Sequence, residues 1–228
     1  MPLYPAETVF FPPDLTEEQM LRSMGIGKPD GVKPRLLRHV ADTIPVVAAR
    51  ARPGLLWRSG SVDAFREVFP SSIRLNRYLA TADHVTVLVG SAGREMEALI
   101  TEEPDPMRKY VLGVASTALA RRALRVAETL LGERFPNCIV GRPLSPGNDG
   151  LPLALQGPLL KCLPIDRLGL VYDEAAMVMV PLASVSALIG LGSYIRNSDE
   201  GCPTCPSADC VVRLAPRLPA GEPVPALA

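Results

Sequence analysis

Apolar residues recur every three or four positions along several stretches of the chain, and this spacing predicts amphipathic helices. The clearest stripe runs from Leu112 to Leu130 and predicts a long helix that ends near Gly132. Asp14 or Thr16 can cap a first helix, because short polar side chains accept hydrogen bonds from the free N–H groups of a first turn. Shorter helices are predicted in residues 17–24, 34–44, 71–79, 94–100 and 153–162.

Other stretches alternate or are rich in branched apolar residues, which predicts strands. Residues 83–90 (DHVTVLVG) show this pattern most clearly. Further strands are predicted in residues 4–11, 54–59, 138–141, 170–172, 176–180 and 185–191. Helices dominate the first two thirds of this pattern and strands cluster in the last third, which favours an α+β fold over a doubly wound parallel sheet.

Composition and charge change this picture little. The 228 residues are 47% apolar, and 24 basic residues balance 24 acidic ones, so nothing indicates nucleic acid or an anionic membrane as a partner. The most apolar late stretch, residues 175–191, contains Pro181 and is shorter than the roughly 18 apolar residues of a membrane span. The N-terminus has no basic region followed by an apolar core of signal-peptide length. We therefore expect a cytoplasmic protein.

Three of the five cysteines, Cys202, Cys205 and Cys210, lie close together in the stretch GCPTCPSADC. Structural disulfides are rare in the cytoplasm, so a metal or redox role is favoured for this C-x2-C-x4-C pattern. Closely spaced thiolates bind zinc or an iron–sulfur cluster. Cys138, Cys162 or a non-protein group could supply a fourth ligand. The alternative is three surface thiols without a ligand.

The stretch RPLSPGNDG, residues 142–150, is dense in turn-forming residues. Gly147 and Gly150 allow a ligand to approach the main chain. Arg142 offers a planar guanidinium to a carboxylate, and Asp149 offers an acceptor to hydroxyls or an amine. The stretch could therefore cradle a small zwitterion, or it could be an ordered turn between two elements.

Several motifs resemble one known family when they are taken in order. SPGNDGLPLALQ (residues 145–156) is similar to a Ser-Pro-Gly motif, and LGLVYDEAAMVMVPLASVSALIGLG (residues 168–192) is similar to a Val-Ser-Ala-Ile-Ile-Gly segment of the same family. MLRSMG, HVTVLVGSAGREME and CPTCPSADCVVR match in the same order. By these motifs, from about Thr8 to Arg213, the chain resembles the activation domain of vitamin B12-dependent methionine synthase, in a short stand-alone form with a C-terminal cysteine cluster.

The resemblance implies a single C-shaped α+β domain in which helices flank a twisted antiparallel sheet. That domain would span residues 1–213 and include the cysteine-rich segment 197–213. The proline-rich residues 214–228 are expected to form a flexible tail.

The resemblance also implies a function. In that family the domain binds S-adenosylmethionine and presents it to oxidised cobalamin, which one-electron reduction and methyl transfer restore to methylcobalamin. The residues that match the S-adenosylmethionine site are Arg142, Leu144, Ser145, Pro146, Gly147 and Asp149.

The expected role is that of an accessory protein for the reductive reactivation of a cobalamin-dependent methyltransferase in methionine biosynthesis. The cobalamin would sit on a corrinoid-binding partner, because the chain has no D-x-H-x-x-G motif. An iron–sulfur cluster on Cys202, Cys205 and Cys210 could supply the electron, whereas zinc would only hold the segment in place. The alternative function is a non-catalytic interaction module that binds metal or an iron–sulfur cluster and keeps the fold.

Two differences from the family pattern concern the predicted site directly. Asn148 stands where the family has an aromatic residue after Pro-Gly, and Arg142 precedes Pro146 by four residues instead of three. Both differences bear on ligand binding and neither bears on the fold.

Overall fold

The computed structural model describes residues 3–27, 31–66, 69, 73–148 and 151–195. Its helices are α1 (Glu17–Ser23), α2 (Pro34–Arg50), α3 (Val62–Arg66), α4 (Ile73–Leu79), α5 (Arg94–Glu102), α6 (Pro106–Arg134) and α7 (Gln156–Lys161). Its strands are β1 (Glu7–Phe10), β2 (Gly54–Ser61), β3 (His84–Ser91), β4 (Ile139–Val140), β5 (Val171–Asp173), β6 (Val178–Val180) and β7 (Ser184–Gly192). Two 3₁₀ turns, Leu153–Leu155 and Ile165–Leu168, flank α7.

Five strands form one sheet in the order β1-β2-β3-β7-β4, and every neighbouring pair is antiparallel. The central strands β3 and β7 pair along eight positions, from His84 opposite Leu191 to Ser91 opposite Ser184. Strands β5 and β6 form a separate hairpin. The predicted α+β class, with an antiparallel sheet and flanking helices, is confirmed.

Each face of the sheet is apolar and is covered by different elements, because successive side chains of a strand point to opposite faces. On one face Leu55, Trp57 and Leu88 pack against the C-terminal half of α6. On the other face Val87 and Leu188 belong to a larger cluster with residues of α3, α4 and α7. This double coverage explains why β2, β3 and β7 are buried along nearly their whole length.

Helix α6 joins the sheet to a third apolar cluster. Its N-terminal half packs with α1, α2 and α5 around Met20, Val47, Met96 and Leu112. The helix begins at Pro106, and the Asp105 side chain caps it by accepting hydrogen bonds from the backbone N–H groups of residues 107 and 108 at 2.8 and 2.9 Å. The pKa of Asp105 is lowered, and the largest cause is the hydrogen bond from the backbone N–H of Arg108.

The local predictions match the observed elements closely, with three corrections. The short helix α3 was not predicted, and α2 continues through Pro45 to Arg50. Strands β1, β2 and β3 were predicted individually and all precede residue 92, so the general expectation that strands cluster in the last third is wrong. No helix in the described ranges is long and apolar enough to cross a membrane.

Candidate functional site

The predicted loop begins where β4 leaves the sheet, and a buried tyrosine fixes this point. The Tyr78 hydroxyl donates to the Arg142 carbonyl oxygen at 2.6 Å and accepts from the Gly190 N–H at 2.9 Å. The Gly141 N–H also donates to the Gly190 carbonyl oxygen at 2.8 Å. One side chain of α4 therefore joins the start of the loop to β7, although these residues lie far apart in the sequence.

Leu144 continues this attachment to the sheet. Its backbone N–H and carbonyl group both bond to Leu188 of β7 at 2.9 Å. Its side chain is 1% exposed and lies in the apolar cluster that also contains Leu151 and Leu159. Leu144 is therefore a structural anchor of the loop, and its side chain faces the protein core.

Residues 145–148 form a tight turn. The Asn148 N–H donates to the Ser145 carbonyl oxygen at 3.0 Å, and Gly147 has a φ angle of +83°. Proline at the second position and glycine with positive φ at the third position are typical of a type II turn. The Gly147 N–H donates to the Leu151 carbonyl oxygen at 2.9 Å, and the Leu151 N–H donates to the Asn148 carbonyl oxygen at 2.9 Å. The turn thus uses these three N–H groups internally and presents Gly147 and Asn148 to solvent.

Arg142 lies near a partly buried carboxylate of α6. Burial raises the pKa of Glu128, while the positive charges of Arg125 and Arg142 oppose that shift. Glu128 therefore lies near enough to Arg125 and Arg142 for their charges to act on it. Groups of opposite charge that lie near one another are what a zwitterion needs for binding.

Five of the six residues that were predicted to bind S-adenosylmethionine lie in the described part of this loop: Arg142, Leu144, Ser145, Pro146 and Gly147. Leu144 and Pro146 are buried, whereas Gly147 is exposed. The sixth, Asp149, lies outside the described residues.

The predicted metal ligands Cys202, Cys205 and Cys210 also lie outside the described residues. Within the described ranges no group of three or more His, Cys, Asp or Glu side chains could hold a metal ion. Cys138 packs in the cluster under α6, whereas Cys162 lies in the cluster on the other face of the sheet. The two cysteines that could complete a metal site therefore belong to different faces.

Cys162 is poorly suited to metal binding or redox chemistry. The residue is 8% exposed, and its thiol donates to the Pro158 carbonyl oxygen of α7 at 3.4 Å. Burial raises the pKa of this thiol, and the nearby Arg58 offsets the effect only in part. A thiol held in the neutral form is a weak ligand and a weak nucleophile.

Two surface depressions lie away from the loop. One has a volume of about 440 Å³ between α5 and the β5–β6 hairpin, and we call it the hairpin groove. Its lining consists of Arg94, Glu97, Ala98, Thr101, Glu102, Gly169, Val171, Val180 and Pro181. The other, of about 410 Å³, runs along α6 beside Tyr110 and Arg121. Neither contains a residue that was predicted to bind a ligand or a metal.

Two residues that shape the loop were missed by the sequence analysis. Tyr78 lies on a short helix far from the loop in sequence, and no local pattern indicates that its hydroxyl is buried. Glu128 follows Ala127, which the structure buries, and its nearness to Arg142 depends on tertiary packing that no local pattern indicates.

Comparisons with known proteins support the fold. Neither a protein-family model nor a curated protein sequence matches the chain. Among solved structures, the chain is similar to the MetH reactivation domain in its crystal structure with bound AdoHcy. The TM-score is 0.55 at 14% sequence identity, over 82% of this chain and 78% of that domain. At this identity the likeness establishes a shared fold, which agrees with the antiparallel sheet order and the flanking helices.

Proposed function

We propose that this protein assists the reductive reactivation of a cobalamin-dependent methyltransferase of the methionine synthase type. In this proposal it binds S-adenosylmethionine as methyl donor and acts in the cytoplasm with a corrinoid-binding partner. The observation that carries the proposal is the fold, which is shared with a reactivation domain whose crystal structure contains AdoHcy. The functional unit would span residues 1–213.

The 142–148 loop supports this proposal through its chemistry. S-adenosylmethionine carries a carboxylate, an ammonium group and a sulfonium centre. Arg142 can hold the carboxylate, and Glu128 offers a negative charge nearby. Gly147 is exposed and has no side chain, so a ligand can contact the main chain of the turn directly.

The three C-terminal thiols have a separate place in the proposal. Cys202, Cys205 and Cys210 would hold an iron–sulfur cluster that supplies the single electron for reduction of cobalt. Protein purified without oxygen should then show visible absorbance and contain iron. If the protein instead contains zinc, which is colourless, the three cysteines have a structural role and no role in electron transfer. If it contains neither iron nor zinc, both the cluster and the zinc site are ruled out.

Titration calorimetry with S-adenosylmethionine and AdoHcy tests ligand binding. Arg142→Ala should weaken affinity by about 10- to 150-fold, which corresponds to the loss of a hydrogen bond to a charged group of about 1.5–3 kcal/mol. Arg121→Ala, in the depression along α6, is the matched control and should leave affinity unchanged. Unchanged affinity of the Arg142 variant would remove this arginine from the site.

A second candidate function is a non-catalytic interaction module that binds a metal or cluster. Two observations favour it: the turn uses the N–H groups of Gly147 and Asn148 internally, and Asn148 occupies the position of the family's aromatic residue. Absence of heat with a folded sample at about 1 mM S-adenosylmethionine would favour this candidate over the first.

A further inference from the structure

Exposed apolar side chains concentrate on the β5–β6 hairpin. Val171, Met177, Val180 and Leu182 are 57%, 40%, 46% and 68% exposed, and all lie within 12 consecutive residues. Isolated exposed apolar residues are ordinary on protein surfaces, whereas a contiguous apolar patch marks a contact surface. Val171 and Val180 form part of the lining of the hairpin groove.

The walls of the groove are already held in position. The Arg94 Nε donates to the Gly169 carbonyl oxygen at 2.6 Å, which ties the start of α5 to a point two residues before the hairpin. The Glu97 carboxylate accepts from the Leu182 N–H at 3.1 Å and ties α5 to the far side of the hairpin. A preformed groove loses little conformational freedom when a segment binds in it.

The lining of the groove carries a net negative charge, because the carboxylates of Glu97 and Glu102 outnumber the guanidinium of Arg94. Glu102 is exposed on the last turn of α5 and makes no ion pair among the described residues. With Glu97 it places two carboxylates beside the apolar surface of Val171 and Val180. The groove therefore suits an extended segment that combines apolar and basic side chains.

One stretch of this chain has that chemistry. Six stretches fall outside the described residues, and only the C-terminal one, residues 196–228, is longer than three residues. It contains VVRLAPRL, residues 211–218, in which two arginines, Arg213 and Arg217, stand among six apolar residues.

The connecting chain is long enough to reach the groove. The structure describes the chain up to Ile195, which packs close to Gly141, beyond the end of β7 at Gly192. The groove lies at the other end of β7, next to Pro181, and the eight steps of that strand span about 27 Å. The 15 residues from 196 to 210 reach at most about 50 Å when extended.

We propose that the hairpin groove is the docking site for residues 211–218 of the same chain, with Arg213 or Arg217 beside Glu102. This docking would move the end of the folded unit from Arg213 to Leu218. It would also hold the segment with the three cysteines between two fixed points, Ile195 and the groove. The proposal does not depend on S-adenosylmethionine binding.

Photo-crosslinking of the full chain tests this docking. A p-benzoylphenylalanine residue at position 180 should crosslink to a peptide from residues 211–218, identified by mass spectrometry, with a yield independent of protein concentration. The same probe at position 110, in the depression along α6, is the matched control and should not capture that peptide.

A charge exchange sharpens the test. Glu102→Lys should lower the yield at position 180 about two- to fivefold, the ratio expected for loss of a surface ion pair. Arg213→Glu with Arg217→Glu should lower it similarly, and the combined variant should recover it. Crosslinks only between two copies, crosslinks elsewhere in the chain, or no crosslink at position 180 would each overturn the proposal. None of these outcomes alters calorimetric binding of S-adenosylmethionine, so failure here is distinguishable from failure of the proposed function.

Discussion

The 142–148 loop and the β5–β6 hairpin both border β7, the first along its C-terminal half and the second at its N-terminal end. The loop turns Leu144 into the core and bonds its own N–H groups within the turn. The hairpin leaves Val171, Val180 and Leu182 exposed. The comparison separates a segment fixed to the sheet by backbone hydrogen bonds from a hairpin that exposes apolar side chains.

The largest expected effect is a loss of stability when the buried anchor of the loop, Leu144, is truncated. Truncation of an exposed side chain beside the hairpin should cost little. Leu144→Ala should lower the free energy of unfolding by about 2–5 kcal/mol, because it leaves a cavity under the sheet. Leu182→Ala, which removes a side chain that is 68% exposed, should change it by less than about 0.5 kcal/mol. Urea unfolding of the two variants checks this. Equal effects would contradict the assignment of Leu144 as an anchor.

The next effect tests the hydroxyl that joins the loop to β7. Tyr78→Phe keeps the ring but removes the partner of both the Arg142 carbonyl and the Gly190 N–H. Leaving these groups without that partner should lower the free energy of unfolding by about 1–3 kcal/mol. Tyr110→Phe, on an exposed ring, is the control and should be nearly neutral. A neutral Tyr78 variant would show that the loop does not need this tether.

Replacement by alanine should change the stability in opposite directions at two glycines, one in the turn and one in α6. Gly147→Ala should destabilise by about 1–2 kcal/mol, because a φ angle of +83° is unfavourable for residues with a Cβ atom. Gly113→Ala in α6 should stabilise by about 0.5–1 kcal/mol, since a Cβ there meets nothing within 4 Å and glycine weakens a helix interior. Thermal unfolding of both variants measures the difference. A stabilising Gly147→Ala would contradict the type II turn.

The smallest expected effect concerns the carboxyl group beside Arg142. Burial raises the pKa of Glu128 in the folded protein, so the folded state holds this proton more tightly than the unfolded state does. The resulting contribution to stability is therefore lost as pH rises through the folded-state pKa. Glu128→Gln should therefore gain stability relative to the unsubstituted protein as pH rises from about 4, near the unfolded-state pKa, through the folded-state pKa. The exposed Glu133→Gln should show no such trend in urea unfolding. A parallel pH dependence of both variants would mean that Glu128 is not effectively buried.

Local patterns in the sequence determined many elements of this protein. Thr16 caps α1 in a capping box with Gln19, the valine-rich residues 84–91 form a strand, and the Pro-Gly pair forms a tight turn. Each of these outcomes depends on backbone preferences and hydrogen bonds among residues only a few positions apart. They could therefore be predicted without knowledge of the fold.

Only the tertiary structure decided how these elements meet. Strand β3 pairs with β7 across about a hundred residues, Tyr78 reaches Arg142 and Gly190, and Glu128 lies beside Arg142. Such contacts are selected by the burial of both sheet faces at once, and no local window of the sequence contains both partners. The loop is one continuous segment, so its sequence was enough to predict a ligand site there. The groove beside the hairpin is lined by α5 and two strands, so no single segment of the sequence indicates it.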